Sequence, residues 1–192
     1  ANAGVYTVKL EAISDKGCVD SLKQEDVSCD ELEETLLQVF AWYLYLNKYK
    51  NIALVINGTE VDYSTFINSD MSLTKTVEIE KIPFVVTLII WAEKIKENFC
   101  TYYLNGNSAV CGKDTTTFNR NTVNFNHSVF VQSTFFNSKS GITLANVSND
   151  EDGQIAIEPI EKDKAVLRKL KKAIQEIISK SIGEYMAGQA EK

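Results

Sequence analysis

An α+β fold, with a mixed and largely antiparallel sheet covered on one face by helices, is what this 192-residue sequence predicts. Three observations carry the expectation. Short apolar segments, several alternating with period two and several bounded by Gly, Asn or Pro, recur between residues 5 and 134, as strands and hairpins require. Two longer stretches, 30–48 and 161–186, repeat apolar residues at helical spacing instead. The order is strand, helix, hairpin, antiparallel strands, helix.

Residues 5–13 alternate, with Tyr6, Val8, Leu10 and Ala12 on one face and Thr7, Lys9 and Glu11 on the other, which predicts a half-buried strand. Residues 14–28 read as a polar loop. Ser28 and Glu31 then have capping-box spacing. Asp30, Glu31, Glu33 and Glu34 crowd the first turns of the following helix and Lys48 and Lys50 lie past its far end, both favourable to the helix dipole. Leu32, Leu36, Val39, Phe40, Tyr43 and Leu46 form its main apolar stripe; Leu37, Ala41 and Leu44 add a second. A helix laid on a sheet is the plain reading, and a partner-facing surface the sharper one.

Residues 52–56 are a β-rich apolar strand, Asn57-Gly58 supplies the positive φ angles of a two-residue hairpin, and 60–63 returns. Residues 76–80 alternate, Pro83 marks an edge or bulge, and 84–91 predicts a strand buried on both faces. A short strand follows at 99–104. The Asn-, Thr- and Gly-rich tract 105–126 reads as one long loop, functional or mobile. Residues 128–134 are a strand, and 141–147 offer another. The last helix turns Val166, Leu170, Ile174, Ile177 and Ile178 inward, with Arg168, Lys169, Lys171 and Lys172 near the opposite side.

With 44% hydrophobic and 24% charged residues the chain can build a sizeable core. The net charge of -6 argues against a domain-wide nucleic-acid footprint, leaving only a local basic patch in "RKLKK" (168–172) with Lys162, Lys164 and Lys180. The longest apolar run, 82–92, is too short to span a bilayer as a helix. No basic region followed by an apolar one opens the sequence, so a cytoplasmic location is expected. "ANA" in place of an initiator Met reads as a cloning scar ahead of a piece of a longer protein.

Direct search for catalytic signatures finds no GxSxG, Walker loop, GxGxxG after a strand, or HExxH. Cys18, Cys29, Cys100 and Cys111 match no metal-knuckle spacing, and His127 is the single histidine, so no metal site is expected and the cysteines read as reduced thiols. Cys100 and His127 could pair as nucleophile and base only by spatial accident. His127 is more simply a strand-start residue bonded to a backbone carbonyl. The sequons at Asn57, Asn126 and Asn146 are set aside without a secretory signal.

Taken in order, the segments resemble the second, transducer domain of GHKL-type ATPases, the group of MutL-like mismatch-repair proteins, gyrase-type topoisomerase subunits and heat-shock-protein-90 chaperones. "DELEETLLQVFAWYLYLNKYKNIALVINGTEVD" (30–62) is similar to the transducer pattern of helix, short break, apolar strand and Asn-Gly hairpin. "EIEKIPFVVTLIIWAEKIKENFCTYYLNGN" (78–107) and "TTTFNRNTVNFNHSVFVQSTFF" (115–136) are similar to heat-shock-protein-90-like bacterial ATP-binding proteins, with a Trp-ended strand, a Tyr-Tyr strand, a Thr-Asn loop and a His-Ser strand. The resemblance covers roughly 5–178 and implies a split β-α-β fold.

It also implies that residues 1–160 are a transducer-like domain and 161–192 a C-terminal helix, packed on it or leading onward. The parent would be an ATPase using ATP and magnesium, working as a dimer in mismatch repair or as a chaperone. The chain itself lacks the DxGxG loop and the Asn-bearing helix of the ATP-binding domain, so that domain is its expected partner, and the fragment alone should not be an enzyme. In this group a transducer lysine reaches the γ-phosphate. Lys139, after the strand 128–134 and beside Gly141, is the candidate; Lys162, at the start of the last helix, is its rival; an ordinary solvated lysine is the plain alternative. The competing function is an α+β protein-interaction module without nucleotide.

Overall fold

The computed structural model describes residues 4–12, 18–27, 29–50, 52–56, 58–116, 118, 123–137 and 161–190. The architecture is α+β, with two long helices and two sheets among the described residues. The chain groups into two compact units: Ala1–Ile67 with Ala92–Glu97, and Asn68–Trp91 with Asn98–Lys192. The helix that the sequence reading sets apart from residue 161, packed on the preceding domain or leading onward, packs into the core of the second sheet.

The first unit holds β1 (Gly4–Ala12), β2 (Cys18–Val27), α1 (Cys29–Leu46), β3 (Ile52–Ile56) and β4 (Thr59–Glu60), with sheet order β2-β1-β3-β4. Strand β2 corrects the expectation of a loop over 14–28. It pairs with β1 from Gly4↔Val27 to Ala12↔Cys18 and occupies an edge of the sheet. Edge strands are commonly polar and charged, and CVDSLKQEDV has few apolar residues to betray it. Both β2 and β3 are antiparallel to β1, so they run parallel to each other with β1 between them, and α1 is the connection. That is a split β-α-β unit.

In α1 the buried residues are Leu32, Leu37, Ala41 and Leu44. The stripe ranked second in the sequence is therefore the packed one. Leu36, Val39, Phe40, Tyr43 and Leu46 are half-buried. Ala41 is fully buried, and its small side chain suits the closest approach of the helix to its neighbours. Asn47 ends the helix by donating its Nδ2–H to the Tyr43 carbonyl at 2.9 Å. Ser28, the expected N-cap, lies outside the described residues. Gly58 has the positive φ of +82° expected of the hairpin turn. Strand β4 is only two residues long because Asp62 caps a 3-10 turn (Tyr63–Phe66), accepting the Ser64 amide on Oδ1 at 2.9 Å.

The second unit holds β5 (Leu73–Ile79), β6 (Ile82–Ile90), β7 (Cys100–Leu104), β8 (Val110–Thr115), β9 (His127–Gln132) and α2 (Glu161–Ala190), with sheet order β5-β6-β9-β7-β8. Only β7 and β9 are parallel; the other pairs are antiparallel. Helix α2 covers one face, burying Val166, Leu167, Leu170, Ile174 and Ile178 with Phe84, Val86, Leu88, Ile90, Tyr103, Val129 and Val131. Of the residues expected inward, only Ile177 is partly exposed.

Strand β8 corrects the expectation of one long loop over 105–126. Asn105 folds the chain back: its amide donates to the Ala109 carbonyl at 3.0 Å, and its Oδ1 accepts the Asn107 and Ala109 amides, each at 2.9 Å. An Asn side chain bonding its own following backbone is a turn former, and that signal was available in "LNGNSA". Pro83 sits second in β6 opposite Glu78, and its carbonyl accepts Ser133 Oγ–H at 2.7 Å. The strand candidate at 141–147 lies outside the described residues.

The β5–β6 turn has Glu80 at φ 53° and Lys81 at φ 67°. Two consecutive positive φ angles suit the twist of a tight hairpin, but side chains there are strained. Glu80 also accepts Lys169 Nζ–H at 2.7 Å, so Lys81 is the position to relieve. The variant Lys81→Gly should be more stable by about 1 kcal/mol, read as a higher urea midpoint with unchanged slope. An unchanged or lower midpoint would contradict the strain.

Candidate functional site

The described reactive candidates His127 and Cys100 lie in the second unit, and both are buried. His127 opens β9 and is fully buried. Its Nδ1 lies 3.1 Å from the Phe125 carbonyl and its Nε2 3.0 Å from Thr116 Oγ1. A carbonyl only accepts, so Nδ1 carries the proton and Nε2 accepts from the Thr116 hydroxyl. Burial drives the imidazole pKa down to about 4, against a small opposing effect of the Phe125 bond. This is a neutral histidine that fixes a strand end, as the sequence suggests.

Around it runs a polar junction. Asn98 Oδ1 accepts the Phe99 amide at 3.0 Å and the His127 amide at 2.8 Å, while its Nδ2 donates to Asn126 Oδ1 at 2.6 Å. Trp91, which ends β6, donates Nε1–H to Ser128 Oγ at 2.9 Å. Cys100 is buried, with its thiol 3.6 Å from the Asn98 carbonyl. These contacts occupy the groups that a Cys–His pair would need, and they bind strand ends together.

An open site lies between the β7–β8 pair and α2: a groove of about 380 Å³ lined by Thr101, Tyr103, Lys113, Asp114, Thr115, Thr116, Lys171, Ile174, Gln175 and Ile178. Tyr103 donates its hydroxyl to Asp114 Oδ2 at 3.2 Å. Burial first, and the Asp114 carboxylate second, push the phenol far above its usual pKa. It therefore stays a hydrogen-bond donor and offers no phenolate nucleophile. The groove combines apolar lining and hydroxyls with the Asp114 carboxylate, Lys113 and Lys171.

Lys139 lies outside the described residues. Lys162 is the second residue of α2, its side chain not described. Among the described residues no three His, Cys, Asp or Glu side chains converge on a metal position, and no helix is long and apolar enough to cross a membrane. Sequence reasoning missed the groove because β8 was not recognised as a strand; the Asn105 turn was the signal that could have exposed it. Comparison with protein-family models, curated proteins and solved structures finds no match.

The histidine gives a pH prediction. Its folded pKa of about 4 lies below the ordinary value of 6.5. The stability that neutral His127 contributes is therefore complete above pH 6.5 and falls as pH drops toward 4. The loss is roughly 3 kcal/mol. Urea unfolding of the protein and of His127→Gln between these pH values should show their stability difference shrinking by that order. A difference independent of pH would contradict the buried neutral imidazole.

Proposed function

We propose that this chain is the transducer-like part of a GHKL-type ATPase, of the mismatch-repair or heat-shock-protein-90-like kind, relaying the nucleotide state of an ATP-binding domain. The observation that carries this reading is the split β-α-β unit formed by β2, α1 and β3 around β1. It is the arrangement that the resemblance over roughly 5–178 implies. The reading is also supported by how the other resembling segments meet: Trp91 at the end of β6 bonds Ser128 of β9, and β9 lies beside Tyr102 and Tyr103 of β7. Fold-level likeness is an associational argument, so the chemistry must carry the test.

ATP and magnesium belong to the ATP-binding domain of the proposed cytoplasmic, dimeric parent. The sequence carries no DxGxG loop, which is why the nucleotide is assigned to that other domain. The contribution of this chain would be one cation. A lysine suits it, since a compact ammonium on a flexible stem can cross a domain boundary. The second reading, an interaction module without nucleotide, is favoured by the β8–α2 groove.

The isolated chain should show no ATP turnover that survives repurification. In the full-length parent, Lys139→Ala or Lys162→Ala should lower turnover by about tenfold or more, as removal of a charge-stabilising donor does. Full activity in both variants, with the fold intact, would sink the donated lysine. A parent without a DxGxG loop and an Asn-bearing helix upstream would sink the ATPase reading itself.

A further inference from the structure

The turn between β7 and β8 contains Asn105-Gly106, a dipeptide whose covalent chemistry needs only water and mild base. The Gly106 nitrogen can attack the side-chain carbonyl carbon of Asn105. A C–N bond forms, the side-chain amide C–N bond breaks, and its nitrogen leaves as ammonia. Water then opens the cyclic imide at either carbonyl. One route gives aspartate; the other gives isoaspartate, whose main chain runs through the former side chain. Asparagine is labile for this reason, and most so before glycine, where no Cβ crowds the attacking nitrogen.

The fold commits both reacting groups elsewhere. Asn105 Oδ1 accepts the Asn107 and Ala109 amides, each at 2.9 Å, and the Asn105 carbonyl accepts the Ser108 amide at 3.0 Å. The N–H and C=O of a trans peptide point in opposite directions, and the Gly106 N–H duly donates away from the turn, to Asn137 Oδ1 at 2.9 Å. Gln132 Nε2 ties down the Gly106 carbonyl at 3.3 Å and Ser108 Oγ at 3.0 Å. Swinging the Asn105 side-chain carbon onto the Gly106 nitrogen breaks the bonds to Oδ1, and ionising that nitrogen breaks its bond to Asn137. Imide closure therefore requires the turn to open.

The glycine and its restraint are linked. Among the described glycines only Gly58 has a positive φ, so backbone conformation does not demand glycine at 106. Space does: a Cβ there would lie 3.2 Å from Asn137 Oδ1 and 3.3 Å from Thr134 Cγ2. The missing side chain that makes Asn105 reactive is also what admits Asn137.

We propose that Asn105 is a latent self-modification site, its conversion to isoaspartate restrained by Asn137 and released when the β7–β8 turn opens. The proposal goes beyond the relay reading and does not rest on it. Aspartate at 105 keeps an oxygen for both amides, whereas isoaspartate adds a main-chain carbon and moves the carboxylate out of the turn.

The folded protein and a synthetic peptide of residues 103–109 are incubated side by side at mildly alkaline pH. Isoaspartate at 105 is quantified by mass spectrometry of fragments and by enzymatic methylation. The folded chain should react about twentyfold more slowly than the peptide, the equilibrium worth of two hydrogen bonds. Asn137→Ala should raise the folded rate about fivefold, the worth of one; Asn137→Asp, which keeps an acceptor, should not. Asn105→Asp should keep the urea midpoint, while protein enriched in isoaspartate at 105 should unfold at lower urea. Equal rates in folded chain and peptide, or an unchanged rate in a folded Asn137→Ala variant, would overturn the proposal. So would aspartate at 105 without isoaspartate. The peptide comparison needs no variant and stands even if Asn137→Ala fails to fold.

Discussion

The second sheet depends on a strand that arrives last. Strand β9 is inserted between β6 and β7, so both of its edges must find partners already in place and both of its faces must be buried. Val129 and Val131 are fully buried and Phe130 nearly so. Antiparallel pairing to β6 and parallel pairing to β7 means that neither hairpin alone completes the core. A sheet closed this late joins distant parts of the sequence, which makes folding slower and more cooperative than local pairing.

Insertion also demands a register, and apolar side chains alone specify it only modulo two residues. Polar contacts remove the remaining freedom. The Trp91–Ser128 bond and the grip of Asn98 on the His127 amide each match one position of β9 to one position outside it. A slip of two residues would keep alternate faces but would leave the indole N–H and the imidazole buried without partners, at a cost of about 1–3 kcal/mol each. His127 and Ser128 thus act as locating pins at the start of a strand whose middle, Val129 to Val131, is apolar. This also explains why an apparently reactive imidazole is sealed and neutral.

What could be read from the sequence follows the same logic. Long periodic segments gave themselves away: α2, the apolar strands β3, β6 and β9, and the turn at Gly58 depend on local pattern. The inner stripe of α1 did not, because the helix is apolar on several sides and the sheet chose the face containing Ala41. Strands β2 and β8 did not either, since edge strands gain stability from backbone pairing and need no apolar alternation. The order β5-β6-β9-β7-β8 has no local signature at all. The groove was invisible for that reason, being made by an edge strand and a helix about sixty residues apart in the sequence.

Strand β8 is an outer strand of the described sheet, and its composition suits that place. Only Val110 and Cys111 are apolar; Gly112, Lys113, Asp114 and Thr115 follow, and polar or charged residues on a short edge discourage pairing with another copy. Two of them are engaged within the sheet: Asp114 accepts the Tyr103 hydroxyl and the Lys113 ammonium lies over the Tyr102 ring. Protection from edge-to-edge pairing thus follows from polar composition at an outer position, while the apolar core of the sheet lies on the face that α2 covers.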